Sequence, residues 1–268
     1  MTISILGSGW LGLPLAKDLI KQGYDVKLST RSEARLAELA NSSTSAHIVD
    51  IEAMTETVVP FLNAGTLIIN ITSKQFDAYK QLITEIKKST IKQVLFVSST
   101  SVYQSIDRVV GEDDGLENPD SFLYQVEQLF RSNTTFKTTV VRLSGLIGYS
   151  RHPGRFFKSG KTVQQPDAAV NLIHRDDCIG IINRIIEQAA WGSVFNGCAS
   201  THPSKREFYS YARSLLKLAA PEFNESTACQ FTKIVSNEKV IGNLGYTFKH
   251  PDIMASLVVS SSPSSSSE

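Results

Sequence analysis

The chain opens MTISILGSGWLGLPLAKDLI (residues 1–20). A short apolar run, TISIL (2–6), leads into glycines at 7, 9 and 12, and Leu11, Leu15 and Leu19 then recur at helical spacing. The run has the length of a strand, and the leucines mark one face of an amphipathic helix. GSGWLG fits G-x-G-x-x-G, a weak signal alone that gains weight between a strand and a helix. In that setting Gly7 permits a tight turn, Gly9 lets the backbone approach a pyrophosphate, and Gly12 lets helix and strand pack closely. The first-turn amides, with Trp10 and Leu11 among them, would then meet the phosphates. A plain strand-to-helix turn is the other reading of the same residues.

Working outward, the pattern repeats. Strands are expected at 24–29, 46–51, 66–71, 93–99 and 137–143, and helices from Ser32 to about Ala40, over 75–88 and near 121–132. Six strands alternating with helices imply an α/β, Rossmann-type doubly wound parallel sheet covered on both faces. The second half is less regular and reads as a smaller C-terminal α/β lobe. Residues 144–170 read as a long loop, 171–174 as a short strand, and Asp176 as the cap of a helix to about Ala190. A strand at 193–199, a helix at 203–220, a strand at 231–235 and a short helix ended by Gly245 follow. The expected organisation is a dinucleotide-binding domain over 1–145, a substrate-binding lobe over 146–258 partly interleaved with the sheet, and a disordered tail over 259–268, rich in serine.

Strand two ends in Ser29-Thr30-Arg31-Ser32. An NAD site wants a carboxylate about 20 residues beyond the glycine loop, for the ribose hydroxyl, and none stands here. Arg31 offers a guanidinium fork for a 2′-phosphate, with Ser29, Thr30 and Ser32 as hydroxyl donors, so NADP is favoured over NAD. A solvated cation at a helix start is the plainer role for Arg31. Asp50 and Ile51, ending strand three, are placed to meet the adenine, Asp50 serving equally well as a helix N-cap. Ile71 and Thr72, at the end of strand four, complete the expected cofactor set.

The 268 residues are 41% hydrophobic and 20% charged with a net charge of +1, which gives no global pull toward nucleic acid or an anionic membrane. No stretch reads as a membrane span or signal peptide. Cys178, Cys198 and Cys229 have no C-x-x-C spacing, which argues against disulfides or zinc and suits a cytoplasmic protein. None of the five histidines shows H-x-x-x-H spacing, so no metal is expected.

GSGWLG, Asp50-Ile51, SSTSVY (98–103), HRDD (174–177) and LGYTFKHPD (244–252) stand in an order that resembles the extended short-chain dehydrogenase/reductase family, the NAD-dependent epimerase/dehydratases. GSGWLGLPLA and RHPGRFF (151–157) are similar to its atypical YeeZ-like branch. The resemblance implies that Ser99 is the catalytic hydroxyl, bonding a substrate oxygen beside the nicotinamide. Thr100 and Ser101 stand where sugar-nucleotide dehydratases carry an acidic pair, so dehydration is disfavoured and the two are read as substrate contacts. The resemblance also allows a homodimer. Active members carry Tyr-x-x-x-Lys, in which the cation helps a phenol of ordinary pKa about 10 to ionise. Here Tyr124 is followed four residues on by Gln128. Tyr124 is therefore either the acid/base or an ordinary structural residue, and His152 or His174 are other candidate bases.

Arg151, His152, Arg155, Lys158 and Lys161 put five basic side chains into eleven positions after strand six. Arg151, His152 and Arg155 are read as contacts to a small anionic substrate such as a nucleotide-linked sugar, or as part of a solvated loop. So short a patch on a near-neutral chain disfavours nucleic acid. The expected function is an NAD(P)-dependent epimerase/dehydratase-like oxidoreductase. The alternative is an NAD(P)-binding protein with little or no turnover.

Overall fold

The computed structural model describes residues 1–40, 44–157, 161–226 and 232–261. Strand β1 (Thr2–Leu6) leads through the glycine turn into α1 (Gly12–Lys21), then β2 (Asp25–Thr30), α2 (Glu33–Ala40), β3 (Ser45–Ile48), α3 (Val58–Leu62), β4 (Thr66–Ile69), α4 (Phe76–Lys88) and β5 (Gln93–Ser99). A 3-10 turn at Thr100–Val102 precedes β6 (Val109–Val110), α5 (Phe122–Arg131), β7 (Lys137–Leu143) and β8 (Gly145–Ile147). Then come β9 (Leu172–His174), α6 (Arg175–Glu187), β10 (Val194–Gly197), α7 (Lys205–Ser214), β11 (Ile234–Val235), α8 (Glu238–Leu244) and α9 (Ile253–Ser261).

Seven strands form one sheet in the order β10-β7-β5-β4-β1-β2-β3. Strand β1 pairs in parallel with β2 and β4, and so do β2 with β3 and β4 with β5. The chain runs outward from β1 through β2 and β3, then returns to the other side of β1 to lay down β4. The strand order therefore reverses between β1 and β4, and at such a reversal the connections leave the carboxyl edge in opposite directions and open a crevice. This is the expected Rossmann-type doubly wound sheet, with β10 as its seventh strand.

By contacts the chain divides into two units, residues 1–102, 117–142 and 182–195, and residues 103–116, 143–181 and 196–268. In the first, Tyr79, Phe96 and Phe130 pack with ring centroids 5.4–6.3 Å apart, Phe96 on Phe130 stacked and the other pairs edge to face. All three are buried, and each such burial contributes about 1.5–3 kcal/mol. In the second, Ile147, Leu172, Phe208, Ala212, Ile253 and Leu257 form a separate core.

Several boundaries depart from the pattern reading. Strand three stops at Ile48, short of residue 51, because the Asp50 carboxylate accepts the Glu52 N–H at 3.0 Å and turns the chain. Asp50 thus heads a turn and caps no helix. Residues 144–170 are not all loop: β8 pairs in parallel with β9, and a 3-10 turn spans Pro153–Arg155. Helix α6 starts at Arg175, so Asp176 lies within its first turn rather than capping it. Helix α7 ends at Ser214 instead of 220, where Lys217 takes a left-handed φ of 56° and breaks the repeat. Apolar α9 reaches Ser261, three residues into the stretch read as tail, because Ile253 and Leu257 find the second core. Residues 262–268, Lys158, Cys229 and Phe231, the first residue of the strand read at 231–235, lie outside the described residues.

One polar cluster sits inside the first unit. Arg142 on β7 is fully buried, donates to both oxygens of buried Glu127 on α5 at 2.7–3.2 Å, and reaches Glu117 at 2.6 Å. The Ser98 hydroxyl donates to Glu127 at 2.5 Å. With one guanidinium serving two carboxylates, removing it strands buried negative charge. Arg142→Met is expected to lower stability to urea by about 3–5 kcal/mol. The double variant Arg142→Met/Glu127→Leu should recover part of that loss, since both buried charges are then gone.

Candidate functional site

The carboxyl ends of β1 to β4 surround a cavity of about 710 Å³ in the first unit. Gly7 and Gly9 line it from the end of β1. Thr30, Arg31 and Ser32 line it from the end of β2, Asp50 and Ile51 from the turn after β3, and Ile71 and Thr72 from beyond β4. Every expected cofactor contact on those strand ends thus faces one space. Trp10, Leu11 and Gly12 are not part of its wall, and Leu11 and Gly12 are buried behind it.

The three glycines are not equivalent. Gly7 has φ +107°, and a Cβ there would stand 2.9 Å from Ile71 Cγ2 and closer still to the Asn70 carbonyl. A Cβ on Gly12 would run into the Gly7 carbonyl oxygen. Both positions are required by the protein's own packing. Among the described residues, its own chain neighbours aside, a Cβ on Gly9 would meet no atom within 4 Å. Gly9 therefore has no packing reason to lack a side chain, and the space it leaves is cavity.

The Gly7 N–H is not directed at the cavity but donates to Ser29 Oγ at 2.9 Å, tying the turn to β2. The first helical bond of α1 runs from the Leu13 N–H to the Gly9 carbonyl at 3.2 Å. Amides ahead of it have no helical acceptor, as at any helix start. No side chain caps this end, and its first turn holds no acidic residue, so its partial positive charge is left for an anion.

At the β2 end, the Thr30 hydroxyl accepts the Ser32 N–H and the Ser32 hydroxyl accepts the Arg35 N–H, both at 3.3 Å. These bonds set the turn that presents exposed Arg31. Further lining side chains escaped the pattern reading, Arg35 and Glu52 among them. Arg35 was legible as the residue one helical turn past Arg31. Glu52, which accepts from Ser73 at 2.6 Å and Gln75 at 2.9 Å, carried no local signal.

Ser99 ends β5, and its hydroxyl oxygen accepts the Ser101 N–H at 3.1 Å, which leaves the O–H to donate elsewhere. Thr100 is buried and Ser101 exposed. Tyr124 lies half-buried in the first turn of α5, its N–H pointing to the N-cap Ser121 hydroxyl. The Arg142 guanidinium stands 5.9 Å from its ring centroid, already engaged by Glu117 and Glu127.

In the second unit, Arg151 and Arg155 are exposed and His152 is buried. His152 Nδ1 accepts the Gly154 N–H at 3.2 Å and caps the 3-10 turn, while its buried Nε2 has no hydrogen-bond partner among the described residues. Burial, then the charge of Arg155, lowers its pKa. His174 is held down to about 4 by burial and then by His250, so it stays neutral near pH 7 and is a weak base.

Residues 7–177 match a family described as NAD(P)H-binding. The chain is 29% identical over 265 residues to protein YeeZ of Escherichia coli K12, spanning 93% of this chain and 96% of that one. Its fold is similar to UDP-glucuronic acid 4-epimerase from Bacillus cereus, solved with UDP-glucuronic acid and NAD, at a TM-score of 0.79 and 17% identity over 97% and 98% of the two chains. A short-chain dehydrogenase/reductase superfamily protein from Agrobacterium tumefaciens with bound NAD matches at a TM-score of 0.78 and 13% identity over 97% and 96%. At these identities the structural likeness is one of fold.

The different demands on the glycines give a direct check. Gly12→Ala is expected to cost roughly 1–3 kcal/mol in urea unfolding, because backbone must move. Gly9→Ala should leave the protein without ligand unchanged or more stable by about 0.4–1 kcal/mol, through a stiffer unfolded chain.

Proposed function

Since this chain belongs to the NAD(P)H-binding family, whose model spans residues 7–177, we propose that its cavity holds NADP(H) and that the protein is an epimerase/dehydratase-like oxidoreductase acting on a nucleotide sugar or a similar alcohol or carbonyl. The observation that carries the reading is Gly9, which lines the cavity and has open space where a Cβ would stand. The turn at Gly7–Gly9 and the uncapped start of α1 take the pyrophosphate. Trp10, Leu11 and Gly12 support it from behind. Thr30, Arg31 and Ser32 take the 2′-phosphate, with Arg35 adding a second guanidinium. Asp50 and Ile51 flank the adenine, and Ile71 and Thr72 lie along the other half of the dinucleotide. When bound, the nicotinamide exchanges hydride with a carbinol or carbonyl carbon. The Ser99 hydroxyl, oriented by the Ser101 amide, donates to the oxygen on that carbon. Thr100 and Ser101, beside Ser99 in the first unit, flank the substrate, while Arg151, His152 and Arg155 belong to the second unit. The described cysteines, Cys178 and Cys198, are buried free thiols, as suits a cytoplasmic protein.

One observation favours a second reading, dinucleotide binding with little turnover. Gln128 follows Tyr124 where the family pattern has lysine, and the cation over the Tyr124 ring is neutralised by two glutamates.

Calorimetry and single-turnover spectroscopy separate the two. NADP should bind more tightly than NAD, and Arg31→Ala should weaken NADP roughly tenfold or more, about 1.5–3 kcal/mol per charged contact, while leaving NAD unchanged. Absence of binding by either dinucleotide overturns both readings. With cofactor bound, a change in nicotinamide absorbance on adding nucleotide sugars, lost in Ser99→Ala, supports the oxidoreductase. Tight binding without such a change across alcohols, carbonyls and nucleotide sugars supports the second reading.

A further inference from the structure

A cluster in the second unit plays no part in the cofactor reading. His174 at the end of β9, Asp176 in the first turn of α6 and His250 just before α9 bring three potential donor atoms within 4.8 Å of one another. His174 Nδ1 lies 3.5 Å from Asp176 Oδ2, and His250 Nε2 lies 3.4 Å from the same oxygen. Hydrogen bonds between such atoms settle at roughly 2.7–3.2 Å, so neither contact has closed into a good one, and the Asp176 N–H that His174 Nδ1 accepts is likewise long at 3.3 Å. Zinc held tetrahedrally by bonds of about 2.0–2.1 Å spaces its donors by about 3.3 Å. Both observed edges lie within a few tenths of an ångström of that spacing.

We propose that His174, Asp176 and His250 form a binding site for a divalent transition metal of the zinc type, with its remaining coordination position open to solvent. Two imidazoles and one carboxylate are the donor set such ions prefer, whereas magnesium and calcium take oxygen-rich sites. Asp176 and His250 retain 29% and 15% side-chain exposure, which gives an ion a way in, while His174 at 6% forms the floor.

The surrounding contacts orient each donor, as outer contacts do in metal sites. The Tyr149 hydroxyl donates to Asp176 Oδ1 at 2.9 Å and so turns Oδ2 toward the two imidazoles. Fully buried Asp177 accepts the N–H groups of Lys249 at 2.7 Å and His250 at 3.0 Å, and the Tyr246 hydroxyl at 2.8 Å. The backbone carrying His250 is thereby fixed. Gly148, at φ +111°, packs directly on the His174 imidazole, where any Cβ would collide with the ring. A bound ion would clip the 249–252 segment to the start of α6.

The experiment titrates Co²⁺ into chelator-treated full-length protein and follows its ligand-field absorption, then displaces it with Zn²⁺. One equivalent of Co²⁺ with the intense spectrum of a low-coordinate site, lost on Zn²⁺ addition, is expected. His250→Asn should weaken binding at least about 100-fold, and Tyr149→Phe about 10-fold, the scale for an outer-contact loss. Zn²⁺ should raise the melting temperature of the wild type but not of His250→Asn. No saturable Co²⁺ spectrum in the wild type overturns the proposal, as does equal affinity in folded His250→Asn. Should that variant fail to fold by circular dichroism, Tyr149→Phe decides: weakened binding supports the site and unchanged binding overturns it.

Discussion

The approach of Gly12 to the Gly7 carbonyl sets the geometry on which the cofactor site depends. It lets α1 start directly behind the end of β1, with no side chain between helix and turn. The start of α1, uncapped and without acidic neighbours, then opens at the carboxyl edge of the sheet where the strand order reverses. The Gly7 amide is committed to Ser29, so the turn is braced from β2 rather than held by a ligand. The preformed cavity follows from those two contacts and from the burial of β4 along its whole length.

The same unit resolves a tension in the chemistry. Ser99 is built as a donor, with its oxygen engaged by the Ser101 amide. Tyr124 instead borders a closed ionic cluster in which Arg142, Glu117, Glu127 and Ser98 satisfy one another. That cluster joins β7, α5 and β5 without exposing a charge, and it offers no spare cation to a phenol. These contacts leave the Ser99 O–H able to donate and hold the Arg142 guanidinium in ion pairs beside the Tyr124 ring.

In the second unit, polar contacts across long separations do what the sheet does in the first. Asp177 gathers Tyr246, Lys249 and His250 from about 70 residues away, and β8 meets β9 across the 148–171 connection. His152, read from sequence as a substrate contact or base, also caps the 3-10 turn that supports its own loop.

The alternating strands and helices, the glycine turn and the Arg31 region were legible locally, because strand and helix periodicities and glycine spacing act over a few residues. The strand ends after 48 and 69 were less so, since a turn carboxylate or the last ladder bond decides them and neither alters the apolar pattern. Likewise residues 259–261 read as tail, although α9 carries on through them from the part that holds Ile253 and Leu257 in their core. The sequence alone determined an α/β sheet with a glycine-led helix start, since burial pattern and backbone freedom are written residue by residue. Only the tertiary structure decided that Gly9, unlike Gly7 and Gly12, has open space where a Cβ would stand, that Arg142 is neutralised, and that His174, Asp176 and His250 converge. Those facts depend on which distant atoms occupy the space around each residue, and no local spacing encodes that.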